Sequence, residues 1–256
     1  MSLKVALGMY TVRQSVEKDM PAAFAALRRM GYTGIEFYGE PEFDIDLVNH
    51  SIQTSGLELT SWHVEWRNLQ PDTFQATAEY LEKVRCPIAV VPCLGGKWNV
   101  NHTPDQECRA IWEGYIAGLN GINQQLRPLG LRMGYHNHEH EFLLKYDGKT
   151  VFDILFEGLH PDIIMELDTG NCIEGGYDPA AIIKKHGGRD ILLHLKPYSR
   201  RLGFQTALGD ENDENDWRAI LAAVPKEPRL IVESENSLLP EMENARQCLE
   251  ALRAFL

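Results

Sequence analysis

Short apolar runs and longer amphipathic stretches alternate along the whole chain. The short runs are rich in β-branched and aromatic residues, as buried strands are. They predict strands over 4–10 (KVALGMY), 33–39 (TGIEFYG), 57–64 (LELTSWHV), 88–94 (IAVVPCL), 131–138 (LRMGYHNH), 163–170 (IIMELDTG), 191–198 (ILLHLKPY) and 229–236 (RLIVESEN). Between them, PAAFAALRRMG, PDTFQATAEYLEKV, DQECRAIWEGYIAGLNGINQQLRPLG, DPAAIIKKHGG, DWRAILAAV and PEMENARQCLEALRAFL carry helical periodicity, with weaker helical patterns over 44–55 and 150–158. In the first of these, Pro opens the helix and Gly closes it, the usual asymmetry of helix ends.

Eight strand-then-helix units predict a parallel sheet covered by helices. The count favours closure into a single (β/α)8 TIM barrel, and 256 residues is a usual length for one. No linker, repeat or composition shift divides the chain, so 1–256 reads as one domain. No GxGxxG follows the first strand, which removes the usual dinucleotide-binding reading.

Composition narrows the function classes. With 25 basic and 37 acidic residues the net charge is −12. No basic stripe is present of the kind that holds a phosphate backbone, so nucleic acid is not an expected partner. No apolar run is long enough for a membrane span. Five cysteines (Cys86, Cys93, Cys108, Cys172, Cys248) form no CxxC pair. They read as reduced thiols of a cytoplasmic protein. The densest charge run, GDENDENDW (209–217), is expected to be a solvated loop; a calcium loop is the sharper reading, but its spacing does not match an EF-hand. The pattern does not assign an oligomeric state.

In a barrel of this kind the active site lies at the carboxyl ends of the strands. Those ends are polar here. They carry Glu36, His63 and Glu65, His136 and His138, Asp168, His194 and Lys196, and Glu233 and Glu235. The period of two puts His136 and His138 on one side of their strand, with EHEF as the capping loop. Two imidazoles and two carboxylates converging from four strands match a divalent cation such as Mn, Co, Zn or Mg. Such a cation suits proton removal beside a sugar carbonyl. Each residue also has a plainer role: His136 as a bonded core histidine, Asp168 as a turn cap, Glu233 as an ion-pair partner of Lys196, Glu36 as a backbone acceptor. The aromatics Trp62, Trp66, Trp98 and Phe142 read individually as packing.

Taken in order, GMYTVR, MGYTGIEF, YHNHEHEF, ELDTGN, LHLKPY and IVESE resemble the xylose-isomerase-like TIM barrels, the sugar phosphate isomerase/epimerase superfamily. The resemblance spans nearly the whole chain. It implies one divalent metal ion held by His136, Asp168, His194 and Glu233, with His136 standing where many relatives have Glu. It implies acid/base roles for Glu233, Glu141 and His138. Glu36, His63, Asn171, Lys196 and Arg200 are the implied substrate contacts. Asn171 and Pro197 depart from the epimerase pattern, which has His and Asp there. The leading expectation is isomerisation or epimerisation of a keto sugar, polyol or inositol derivative through a metal-stabilised enediolate. A lyase or dehydratase of keto sugars or keto-inositols follows closely, because His136 removes the second metal-bound glutamate. An abasic-site endonuclease-like enzyme and a non-catalytic sugar-binding barrel are the remote alternatives.

Overall fold

The computed structural model describes residues 4–96, 108–224, 228–235 and 237–255. Eight parallel strands close into a barrel: β1 Val5–Gly8, β2 Gly34–Tyr38, β3 Glu58–His63, β4 Ile88–Val91, β5 Arg132–His136, β6 Ile164–Asp168, β7 Ile191–Leu195 and β8 Arg229–Val232. Each strand pairs with its neighbours in sequence, and β8 closes on β1 through Val5↔Leu230, Ala6↔Ile231 and Leu7↔Val232. The barrel expected from the pattern is the fold that forms.

All eight strands stop short of their expected carboxyl ends. After β1 the chain turns into a 3-10 helix, Met9–Val12, and after β6 directly into the helix Thr169–Glu174. The residues that make the run look like a longer strand are those that fold over the barrel mouth. The weaker helical patterns also form, as Ile45–Ser55 and Val151–Gly158. Asp44 and Thr150 cap these two helices, accepting from the amides of Leu47 and Asp153.

Alternation along the strands sorts side chains between lumen and helix layer. Ala6, Ile88, Val90, Ile164, Leu192 and Ile231 form an apolar plug inside the barrel. The next lumen-facing positions two residues further along β2, β5, β6 and β7 are Glu36, His136, Glu166 and His194. The intervening residues, among them Leu193, Leu195, Met165 and Leu167, pack outward in the main core. Gly34 is required where β2 meets β3, since a Cβ there would lie 2.7 Å from Thr60 Oγ1.

The acidic run 209–217 is a largely exposed loop, as expected, and acids within it also bond to the chain. Asp213 Oδ2 accepts from Trp217 Nε1 at 2.7 Å, and its Oδ1 accepts from Asn215 Nδ2 at 2.8 Å. Asp216 caps the helix Trp217–Ala223. These carboxylates bond to the chain itself, which gives the turn a structural role. The C-terminal helix Glu241–Ala254 lies on the barrel, with Cys248, Leu249 and Leu252 buried and Tyr32 Oη donating to Ala245 O at 2.7 Å. Trp98 falls outside the described residues.

Candidate active site

The polar lumen layer opens into a cavity of about 490 Å³ at the carboxyl ends of the strands. Of the expected site residues, Glu36, His63, His136, His138, Asn171, Lys196 and Glu233 line it. Asp168 and His194 lie just beneath, fully buried.

Asp168 ends β6, and its two oxygens part company. Oδ1 caps the following helix by accepting from Asn171 N at 2.8 Å. Oδ2 faces the site, 3.5 Å from Lys196 Nζ and 3.7 Å from His136 Nε2, without a hydrogen-bond partner among the described residues. The cap and the site residue are therefore the same side chain. His194 Nδ1 meets Glu233 Oε2 at 2.5 Å. Asp168, His194 and Glu233 each offer a ligand atom within 4.8 Å of the others.

The ammonium of Lys196 lies 3.5 Å from Glu233 Oε1, contacts Glu235, and stands 4.7 Å from the centre of the Phe204 ring. Burial disfavours its charge, but Asp168, Glu233 and Glu235 outweigh that and hold its pKa well above the ordinary lysine value. Burial would also raise Glu233; the charge of Lys196 and the bond to His194 hold it well below the usual carboxylate range instead. Glu235 is pushed the other way, to about 7, by burial against the weaker pull of Lys196. Two carboxylates on one strand end thus differ in their readiness to hold a proton. Burial, then the neighbouring His136, keeps His138 neutral, with its pKa well below that of free histidine.

A residue the sequence reading did not single out sits at the centre of this layer. Glu166 is fully buried, and its Oε2 accepts from His63 Nε2 at 2.5 Å and from His136 Nδ1 at 3.1 Å. Burial would raise its pKa, but His194 and His63 overcome that and hold it well below normal. Its signal in the sequence was available: an acid inside IIMELD, two positions before Asp168, must face the same way as Asp168. Glu36 forms the floor beside it, accepting from Ser61 Oγ at 2.5 Å, with Oε1 2.7 Å from His194 Nε2.

Two expected residues are not brought into the site. Glu141 is fully buried behind the capping segment, where Tyr135 Oη (2.6 Å) and His138 N (2.9 Å) occupy its two oxygens. It shapes the loop that presents His138 and does not line the cavity. EHEF itself contributes the short helix His140–Leu143. Arg200 is exposed and pairs with Glu214, its Nε 3.5 Å from Oε2. Asn171 does line the cavity, although its Nδ2 donates to Asn137 O at 3.1 Å. Trp62 stacks on Phe37 at 4.4 Å, and Trp66 meets Tyr115 edge-on at 5.9 Å. Phe142 stacks on Phe152 at 4.5 Å. The aromatic rim of the cavity comes from Tyr10, Tyr38 and Phe204.

A divalent cation suits this donor set. Asp168 Oδ2 is buried beside Lys196 without a hydrogen-bond partner among the described residues, so it has an oxygen to offer a cation. Imidazole and carboxylate donors from different strands are the ligands first-row divalent ions and Mg prefer.

Across residues 24–255 the chain matches the family described as Xylose isomerase-like TIM barrel. It belongs to that family. It is 30% identical over 185 residues to an inosose dehydratase of Geobacillus kaustophilus, an alignment covering 66% of this chain and 59% of that protein. A second inosose dehydratase, from Clostridium botulinum, is 22% identical over 208 residues, covering 70% and 64%. The chain thus spans less than two thirds of these relatives' length. Among solved structures, a sugar phosphate isomerase/epimerase of Parabacteroides distasonis superposes with a TM-score of 0.80 at 19% identity, covering 100% of this chain and 98% of that one. A D-allulose 3-epimerase of Methylomonas sp. gives 0.72 at 14%, covering 99% and 98%. At these identities the family barrel shares the fold of both structures.

Proposed function

We propose that this family member is a divalent-metal-dependent lyase that removes water from a keto-polyol of the inosose type. The observation that carries the reading is that Glu233 and Glu235, the two carboxylates with opposed proton affinities, leave the end of one strand and line one side of the cavity. Elimination needs a base for the carbon-bound proton and an acid for the departing hydroxyl, and one face can supply both. Epimerisation needs groups on both faces of the substrate. On the β5 side the cavity is lined by His136, His138 and Glu139, and the ligand position there is the imidazole of His136 in place of a second metal-bound carboxylate.

His136, Asp168, His194 and Glu233 would hold the cation. When bound, the cation supplies Lewis-acid polarisation of the substrate carbonyl and stabilises charge developing on its oxygen. Glu233, kept ionised by Lys196 and His194, takes the proton from the carbon beside the carbonyl. Glu235, whose pKa burial raises to about 7, gives its proton to the β-hydroxyl, which leaves as water while the new C=C bond forms. Lys196 donates to a substrate oxygen; Glu233 then releases its proton to solvent and Glu235 takes one up, which closes the cycle. Tyr10, Tyr38 and Phe204 offer apolar faces to the ring carbons and limit water at the mouth. The inosose dehydratase relatives support the substrate class.

The test is incubation of the Mn- or Co-loaded protein with an inosose in deuterated water. The expected product has lost one water. Recovered substrate that carries solvent deuterium without dehydration would instead establish isomerisation or epimerisation.

A further inference from the structure

An imidazole can offer either ring nitrogen to a cation, and only the nitrogen without a proton binds. Metal-bound histidines therefore commonly donate their other N–H to a carboxylate or carbonyl, which fixes the ring and makes it a better ligand. In this barrel two histidines lie between two layers of acid. His136 turns Nε2 toward Asp168 in the mouth and Nδ1 toward Glu166 below, at 3.7 and 3.1 Å. His194 turns Nδ1 toward Glu233 and Nε2 toward Glu36, at 2.5 and 2.7 Å.

We propose that Glu166 is a positioning residue that sets the tautomer of His136, so that His136 Nε2 faces the cation. The inference rests on the metal-dependent reading given above. It explains why Glu166 is kept at the floor of a barrel where an apolar side chain would pack at lower cost. His63 completes the floor: its Nε2 donates to Glu166 Oε2 and lies 3.3 Å from Glu36 Oε1. The two acids are thereby held in place from the β3 side.

The same floor offers another use. His63, His136, Glu166 and His194 present ligand atoms within 4.8 Å of one another, so a second cation could compete for them. The two uses exclude each other at His136: a neutral ring has a single N–H, binding a cation through each nitrogen would require losing it, and in the positioning arrangement that proton is held by Glu166.

The deciding experiment is long-range ¹H–¹⁵N NMR of the imidazoles in the zinc-loaded protein, beside zinc titrations of the parent, Glu166→Gln and Glu166→Asp. The expected parent binds about one zinc, with His136 protonated on Nδ1. Glu166→Gln, whose amide can both donate and accept, should mix the His136 tautomers and weaken zinc binding about 10- to 100-fold. Glu166→Asp should restore the tautomer in part. If Glu166→Gln does not fold, the His136 tautomer in the parent and in Glu166→Asp carries the test. Unchanged tautomers and affinity would overturn the proposal while leaving the metal reading intact. Two zincs in the parent, one of them lost in Glu166→Gln, would overturn it in favour of a floor cation site. A parent that binds no zinc would overturn the metal reading and the proposal together.

Discussion

Asp168 shows how one side chain serves fold and site together. Its Oδ1 caps a helix and its Oδ2 faces the cavity, so the turn-cap and ligand readings of LDTGN do not compete. Asn caps about as well as Asp. Asp168→Asn should therefore keep the helix while removing the charge that faces Lys196. Glu233 carries the heavier chemical load, and Glu233→Gln should lower kcat by about 10²- to 10⁴-fold with the fold intact. Steady-state kinetics beside a thermal melt would check this, and a rate near that of the parent would remove Glu233 as the base. Residues at strand ends were legible in the sequence because a charge at the end of an apolar run is conspicuous. Glu166 was hidden by its neighbours in IIMELD. Glu141 misled for the opposite reason: its acid lies near the histidines in sequence, but a buried bond to Tyr135 turns it inward.

The elements fix the site through close backbone contact and through ion pairs at the far end of the barrel. Gly170, in the short helix after β6, leaves no room for a side chain: a Cβ there would lie 2.8 Å from Lys196 O and 3.1 Å from Lys196 Cγ. Gly170→Ala should displace Lys196, cost about 1–3 kcal/mol, and raise KM more than an equally destabilising core change elsewhere. Denaturant melts and kinetics on the same variant would reveal a normal KM if the contact did not matter. Asp190, just before β7, accepts from Arg132 at 2.7 Å and from Arg229 at 2.6 Å, tying β5, β7 and β8 together. Burial opposes its charge, but the two guanidiniums outweigh that and lower its pKa. A depressed acid contributes stability above its unfolded pKa of about 3.9 and loses it as pH falls through the folded value. Asp190→Asn should thus cost ~0.5–1 kcal/mol near pH 7, modest because the pair is partly exposed. The difference from the parent should shrink below about pH 4. A cost that persisted unchanged in acid would rule out the ion pairs as its source. Strand order and most helices were readable from periodicity. The carboxyl ends were not, because the polar residues that fold over the mouth continue the apparent strand pattern.

Charge acts over the whole molecule. The chain carries a net −12, and Glu36, Glu65, Glu139, Glu174, Glu233 and Glu235 line the cavity with Lys196 the sole Lys or Arg among the described lining residues. A neutral polyol enters such a field at little cost, whereas a phosphorylated one is repelled. A keto sugar phosphate should accordingly compete poorly with its unphosphorylated counterpart, more so at low salt, where screening is weakest. Equal inhibition by the two at low ionic strength would show that the acidic lining does not select. The overall charge was plain in the composition, but its concentration around one cavity required the fold.

Bound metal is the most direct test. Elemental mass spectrometry of the parent after equilibration with Mn, beside Asp168→Asn, is expected to give about one equivalent in the parent and a clear loss in the variant, with matching thermal melts. A parent without metal, or a variant with full occupancy, would contradict a cation held by Asp168 at the barrel mouth.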